Sequence, residues 1–240
     1  MDPVVSMFDR MDAWRHLPNY QLERRADLLF SLYIPEALED KLGVPILPAL
    51  VPEFPVRIGA IYPDIISDKS YKIDYLGLSA SREQPVFVEL KTEGLSRRAS
   101  QDRYLIAAQR IGMSRLIDGV LEIFRATQAK RKYFALLLLL QDIGLLEIPE
   151  ELSEIMAGET LQGASCASRS VRVLTDGMRM PQIVYIQPQG EQSDVISFRQ
   201  FSTVVRRHPD QVSQRFSQSL QEWASIQAGD GTLIESRTSP

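Results

Sequence analysis

Two neighbouring segments of the chain have the hydrophobic pattern of β-strands. Apolar and polar residues alternate along most of residues 71–76, and residues 85–91 are apolar until they reach a Glu and a Lys. Both segments are rich in β-branched and aromatic residues, and the polar residues between them favour a turn, so the pattern predicts a β-hairpin. A turn centred at positions 81–82 sets Asp74 opposite Glu89 in the antiparallel register.

Segments on either side of the hairpin are predicted from periodicity and from prolines. Apolar residues recur every three or four positions over residues 21–37, which predicts an amphipathic helix. Four prolines in residues 43–55 are incompatible with a helix interior or a central strand, so this segment is predicted to be a connection. Residues 56–66 return to apolar and β-branched types and predict the first strand. The helices predicted after the hairpin span residues 96–111 and 114–127.

The longest apolar run spans residues 133–140. Such a run suits a strand buried on both faces, although its periodicity does not distinguish it from a buried helix. Gly112 is a weak point between the two helices that precede the run. The remaining predicted elements are a short helix at 149–156, strands at 171–174 and 182–187, and helices at 198–205 and 211–226.

This order of elements predicts an α/β fold, with a central mixed β-sheet flanked by helices on both faces. The length of 240 residues suits one domain with a full core. The predicted domain spans residues 21–227, preceded by a loose arm or short helix at 1–20 and followed by a flexible tail at 228–240.

Composition excludes several classes of protein. With 44% hydrophobic and 24% charged residues, the chain has the composition of a folded globular protein. Its apolar runs are much shorter than the roughly 20 residues of a membrane-spanning helix, and its N-terminus lacks the layout of a signal peptide, so a cytoplasmic protein without membrane association is expected. A single cysteine, Cys166, and two isolated histidines exclude an internal disulfide and a Cys/His zinc site.

The predicted hairpin brings together side chains with metal-site chemistry. Side chains alternate between the two faces of a strand, so Glu89 and Lys91 are expected on the face that carries Asp74. Two opposed carboxylates repel each other unless a positive charge compensates them. Two carboxylates, a backbone carbonyl and waters are ligands that Mg²⁺ or Mn²⁺ takes. Lys91 is then expected to orient an attacking water or to stabilise charge on a phosphate.

At these residues the sequence resembles the PD-(D/E)XK nuclease superfamily, which has an acid on one strand and an E-x-K motif, here Glu89-Leu90-Lys91, on the next. The resemblance implies a restriction-endonuclease-like core and a nuclease, dependent on Mg²⁺ or Mn²⁺, that hydrolyses the phosphodiester bonds of DNA. It also implies that Asp74 and Glu89 bind the metal with the Leu90 carbonyl as a further ligand, while Lys91 assists catalysis.

Several alternatives remain open at this level. Pro63-Asp64 is a literal PD pair, but Asp74 is preferred because the hairpin register brings it to Glu89, whereas Asp64 is expected in a turn. The same residues allow an inactive nucleic-acid-binding or accessory protein of the same fold, or a soluble α/β scaffold with no ligand. The superfamily often supplies a further acid from an N-terminal helix, and the candidates are Glu23, Glu36 and Glu39.

Basic residues are concentrated after the hairpin. Residues 91–132 carry 10 Lys and Arg against 4 Asp and Glu, a net charge of +6, whereas the whole chain carries −4. DNA is therefore expected to approach along this segment. A homodimer is compatible with the sequence but is not specified by it. The residues expected to contact nucleic acid are Arg97, Arg98, Arg103, Tyr104 and Arg110, with Arg115 beyond them.

Gln101 and Tyr104 share one face of the predicted helix that follows the E-x-K strand, together with Arg97 and Ala108. Some nucleases of the superfamily carry a Gln and a Tyr on this helix, usually four residues apart, whereas here they are three apart. The resemblance implies that Gln101 is catalytic and hydrogen-bonds Lys91 or a metal-bound water, and that Tyr104 contacts a phosphate. In the alternative, Tyr104 packs in the core and Gln101 lies at its edge.

Overall fold

The structure, a computed structural model, describes residues 2–65, 67, 69–92 and 99–225, with residues 99 and 100 described in backbone only. Within these ranges, each helix is too short or too polar to cross a lipid bilayer.

The helices are α1 (Pro3–Trp14), α2 (Leu22–Ser31), α3 (Ile34–Leu42), α4 (Ile58–Ile61), α5 (Ala99–Ala126), α6 (Lys130–Asp142), α7 (Glu150–Ala157), α8 (Ala164–Ala167), α9 (Phe198–Val205) and α10 (Gln211–Ser225), with a 3₁₀ turn at Ser168–Ser170. The strands are β1 (Val51–Arg57), β2 (Ser70–Leu78), β3 (Pro85–Leu90), β4 (Leu146–Glu147), β5 (Arg172–Val173), β6 (Gln182–Gln187) and β7 (Val195–Ser197).

The central sheet in the described residues has five strands in the order β1-β2-β3-β6-β7. β1, β2 and β3 are antiparallel neighbours, whereas β6 is parallel to β3 and β7 is parallel to β6. The chain therefore passes from the hairpin through α5 to a parallel strand beside β3. The fold is α/β with a mixed sheet, as the sequence predicts.

Helices cover both faces of this sheet. One hydrophobic cluster packs α5 and α6 against the face that carries Ile73 and Phe87. A second cluster packs α2, α3, α9 and α10 against the opposite face, which carries Val86 and Val88. Because both faces are buried, polar side chains of the central strands are accommodated at the strand ends.

The hairpin has the predicted register. Tyr75 of β2 pairs with Val88 of β3, and the pairs continue in step towards the turn. Extended by one residue, the same register sets Asp74 beside Glu89. The predicted turn centre is therefore confirmed.

The proline-rich segment is not simply a connection, contrary to the prediction, because its second half forms β1. Pro52 and Pro55 both lie within this strand. β1 is at the edge of the sheet, and an edge strand tolerates proline because its outer side donates no hydrogen bonds to a neighbouring strand. The strand predicted at 56–66 is wrong after Arg57, where α4 begins.

Residues 133–140 form a helix and not a buried strand. They lie within α6, and Leu138 and Leu139 remain 39% exposed because only one side of the helix faces the core. Leucine favours helices, and this run contains no β-branched residue. These two facts decide between the alternatives that periodicity leaves open.

The strands after α7 are only partly predicted. Residues 182–187 form β6, in agreement with the sequence. Residues 171–174 contribute only β5, which pairs with β4 in a separate two-stranded sheet. β7 has no counterpart among the predicted elements, because three residues are too few to show a period.

The N-terminal residues adopt the helical alternative. α1 buries Phe8 and Met11 against the rest of the fold. Arg215 of α10 forms ion pairs with Asp9 and Asp12 of α1. This segment is therefore attached to the domain along its length.

The weak point predicted at Gly112 is a break in α5. Gly112 has φ of 75° and ψ of 169°, far from helical values. The first half of α5 carries Gln101 and Tyr104, whereas the second half packs Met113 and Phe124 into the core. The break allows the first half of α5 to run in a different direction from the second half.

We expect Gly112→Ala to lower the free energy of unfolding by about 1–3 kcal/mol, because this backbone conformation is nearly restricted to glycine. A Cβ at this position would meet no atom within 4 Å, so the loss would measure backbone strain. Gly158→Ala is the matched control, because Gly158 has φ of −74° and ordinary Cβ contacts. Urea unfolding tests the prediction, and equal stability of the two variants would contradict it.

Candidate active site

The side chains predicted to form the site converge where β3 ends. Lys91 Nζ donates to Glu89 Oε2 at 3.1 Å and to the Leu90 carbonyl oxygen at 2.9 Å. It also lies 3.7 Å from Asp74 Oδ2. One ammonium group is therefore surrounded by the three residues that the resemblance assigns to a metal ion.

The Asp74 side chain connects β2 to β3 where their backbone pairing ends. Asp74 Oδ2 accepts a hydrogen bond from the Leu90 backbone N–H at 2.7 Å, and backbone pairing of the two strands ends at Tyr75 and Val88. Glu53 of β1 lies opposite Asp74 in the register of β1 and β2, and its φ is 51°. A non-glycine residue at positive φ is strained. The sequence contains no signal for this conformation of Glu53, so the irregular backbone beside the site is not predictable from it.

The first turns of α5 lie over Glu89. Gln101 Nε2 donates to Glu89 Oε2, and the Tyr104 hydroxyl lies 3.2 Å from Glu89 Oε1 and 2.9 Å from the Lys72 carbonyl oxygen. Gln101 thus contacts the carboxylate of Glu89 and not Lys91, the first of its two expected partners, whereas contact with a metal-bound water stays a prediction. Tyr104 is only 7% exposed, so its ring packs in the core. Its hydroxyl is the part of the side chain that reaches Glu89.

Burial and mutual repulsion govern the charges of this cluster. Burial raises the pKa of Glu89 to about 8, and the charge of Asp74 adds to the effect. Burial also raises the pKa of Asp74. Burial lowers the pKa of Lys91, but the carboxylates of Glu89 and Asp74 outweigh it, so the net change is upward. The cluster therefore favours a cation at its centre.

The structure distinguishes between the three candidate N-terminal acids. Glu23 of α2 lies near enough to Lys91 and Asp74 for their charges to influence its pKa, which burial raises. Glu36 forms an ion pair with Arg207 and a hydrogen bond with His208, both of which follow α9. Glu39 accepts a hydrogen bond from the backbone that follows α3. Glu23 is therefore the acid that the fold brings to the site.

α2 is fixed beside the site by a contact that sequence reasoning missed. The Tyr75 hydroxyl donates to the carboxylate of Asp27, and it lies 3.1 Å from the Asp27 carbonyl oxygen. Asp27 is one helical turn after Glu23, so this contact holds the relevant turn of α2 against the strand that carries Asp74. A contact between residues 48 positions apart leaves no local signal in the sequence.

The basic surface predicted after the hairpin is described in part. Arg103, Arg110 and Arg115 are exposed on α5. Among the described residues they have no ion-pair partner. Arg97 and Arg98 lie outside the described residues. The exposed arginines of α5 are thus available to a polyanion.

The donor types at the site are those of a partial coordination shell for a divalent cation. Among the described residues, no three Asp, Glu, His or Cys side chains form a complete metal cage. Mg²⁺ commonly binds one or two carboxylates and completes its shell with waters and substrate phosphates. Asp74, Glu89 and the Leu90 carbonyl supply that partial shell around a point of positive charge. The rival acid, Asp64, is exposed and makes no hydrogen bond or ion pair with these groups.

Comparison with known proteins does not identify a relative. No protein-family model, curated protein or solved structure matches the chain. The functional assignment therefore depends on the geometry of the site and on the order of the structural elements.

We expect the stability of the metal-free protein to fall as the pH rises from about 4.5 to 8. The pKa of Glu89 is about 8 in the folded protein and about 4.3 in an unfolded chain. The folded state therefore binds more protons in this window, and the contribution of Glu89 declines by up to about 1.4 kcal/mol per pH unit.

Urea unfolding at several pH values in EDTA measures this effect. Glu89→Gln should remove the decline, because glutamine does not titrate. Glu151→Gln, at an exposed position of α7, should retain it. If the free energies of unfolding of the wild type and Glu89→Gln changed in parallel with pH, Glu89 would be ionised in the folded protein at neutral pH, and the prediction would be wrong.

Proposed function

We propose that the chain is a divalent-metal-dependent nuclease that hydrolyses the phosphodiester bonds of DNA. One observation carries the proposal. The two carboxylates and one carbonyl oxygen predicted as metal ligands converge on a buried cation, the ammonium of Lys91. Oxygen donors of this kind are those that Mg²⁺ and Mn²⁺ prefer.

The order of elements supports the same proposal. An antiparallel unit of three strands carries the acid on its second strand and E-x-K on its third, and α5 then leads to a strand parallel to the third. This order resembles the restriction-endonuclease-like core. The exposed arginines of α5 support DNA as the substrate, because Arg103 adjoins Tyr104 beside the site and these arginines have no ion-pair partner among the described residues.

Each residue of the site would have a separate role in hydrolysis. A bound Mg²⁺ or Mn²⁺ would neutralise the scissile phosphate and lower the pKa of an attacking water. Asp74, Glu89 and the Leu90 carbonyl would hold it. Gln101 and Tyr104 hold the Glu89 carboxylate in one orientation through its two oxygens. Lys91, once displaced from the ligands, would donate to phosphate oxygens as negative charge develops.

A scaffold without ligand is the second candidate, and one observation favours it. Lys91 already compensates both acids, and both oxygens of Glu89 have protein partners. A buried cluster that is fully paired can be structural. Metal binding decides between the two candidates.

We expect Asp74→Asn to reduce the rate of DNA cleavage by about 100-fold or more, because a ligand for the cation is lost. Cleavage of single-stranded and duplex DNA with Mg²⁺ or Mn²⁺ measures the effect, and EDTA should abolish cleavage by the wild type. Asp64→Asn is the matched control, because it makes the same change in the other candidate acid. Equal activity of the Asp64→Asn and Asp74→Asn variants, or cleavage that survives EDTA, would contradict the proposal.

We expect Lys91→Met to bind Mn²⁺ more tightly than the wild type and yet to cleave DNA more slowly. The ammonium group contacts the same oxygens that the metal would use, so its removal relieves competition, whereas its loss also removes a donor to the phosphate. Titration calorimetry with Mn²⁺ and a cleavage assay measure the two effects. The scaffold candidate requires that neither protein binds Mn²⁺ at this site.

A further inference from the structure

An exposed aromatic ring lies beside the candidate active site. Tyr71, near the start of β2, is 39% exposed. Its ring stacks on that of Tyr104, with centroids 4.5 Å apart and planes 3° from parallel. The Tyr104 hydroxyl lies 3.2 Å from Glu89 Oε1. One aromatic layer, the ring of Tyr104, therefore lies between the Tyr71 ring and the candidate catalytic acid.

The orientation of the Tyr71 ring is fixed by its surroundings. The backbone of Tyr71 is paired with Val56 of β1. The Tyr104 ring beneath it is held by the hydroxyl, which lies 2.9 Å from the carbonyl oxygen of Lys72. The Tyr71 hydroxyl makes no hydrogen bond to the described residues. The protein thus positions this ring but leaves much of its surface to solvent.

We propose that Tyr71 is a stacking platform for an unpaired nucleobase of the substrate, an inference that rests on the proposed nuclease function. Bases of any sequence stack on aromatic side chains. A base stacked on Tyr71 would lie ~3.5–4 Å beyond its ring. The rings of Tyr71 and Tyr104 would then lie between the base and Glu89, so the base belongs to a nucleotide near the phosphate that the site would bind.

The platform identifies the form of the substrate. A base inside a duplex is already stacked on both faces by its neighbours, so its use of Tyr71 requires unstacking, which costs free energy. A single strand offers its bases without that cost. Single-stranded DNA, including frayed ends, is therefore the substrate class that the Tyr71 platform favours over duplex.

Base stacking can be measured in the absence of cleavage. The probe is a single-stranded oligonucleotide that carries 2-aminopurine at one of several successive positions, bound to the Glu89→Gln protein. We expect its fluorescence to be quenched at one position in the single strand and to be unaffected in the matching duplex. Tyr71→Trp should preserve the quenching, because the indole ring also stacks.

Replacement of Tyr71 by an aliphatic side chain measures the contribution to affinity. Tyr71→Leu keeps an apolar contact with Tyr104 but removes the ring, and it should weaken single-strand binding by about 5- to 150-fold. Duplex binding should weaken far less, so the preference for single strands falls. Trp14→Leu removes an exposed aromatic ring from α1, on the opposite face of the sheet, and should leave both affinities unchanged.

The outcomes separate this inference from the proposed function. Quenching at one position together with loss of single-strand preference in Tyr71→Leu supports the platform. Metal-dependent cleavage without quenching, or equal effects of Tyr71→Leu on both forms of DNA, overturns the platform and leaves the nuclease proposal standing. Absence of both DNA binding and cleavage in the wild type overturns the two together. The quenching measurement needs no Tyr71 variant, so it decides the question even if Tyr71→Leu does not fold.

Discussion

A buried ammonium group between two carboxylates is the interaction on which this end of the molecule depends. Glu89 is fully buried in a strand covered on both faces, and an unpaired charge there would be strongly destabilising. Lys91 compensates the charge of Glu89 when it is ionised and shares Oε2 with Gln101, while the Tyr104 hydroxyl lies beside Oε1. The same cluster therefore connects the hairpin to the first half of α5, and the two candidate functions differ in whether a metal ion can replace the ammonium group at its centre.

The sequence predicts the centre of the site well, because the relevant information is local. The turn between β2 and β3 is symmetric about its centre, so the positions of Asp74 and Glu89 follow from counting, and Gln101 and Tyr104 follow from helical spacing. The general α/β architecture is predictable for the same reason, since its hydrophobic patterns repeat within each element. The restriction-endonuclease-like core remains a prediction.

Features that depend on tertiary contacts cannot be predicted from local sequence patterns. Glu23 cannot be separated from Glu36 and Glu39 until α2 is placed, and its placement depends on the distant contact between Tyr75 and Asp27. The prolines of β1 show a related limit, because their place in a strand depends on the position of that strand at the edge of the sheet. The apolar run in α6 differs, because the preference of leucine for helices is local information that periodicity alone leaves unused.

The prolines of β1 also bear on how copies of this protein can associate. β1 forms one edge of the sheet, and the other edge, β7, is only three residues long. Proline has no N–H group, so Pro52 and Pro55 reduce the number of hydrogen-bond donors that this edge strand carries. Continuation of the sheet from one molecule to the next through β1 is therefore disfavoured. The edge that this strand presents is therefore protected against strand-to-strand aggregation.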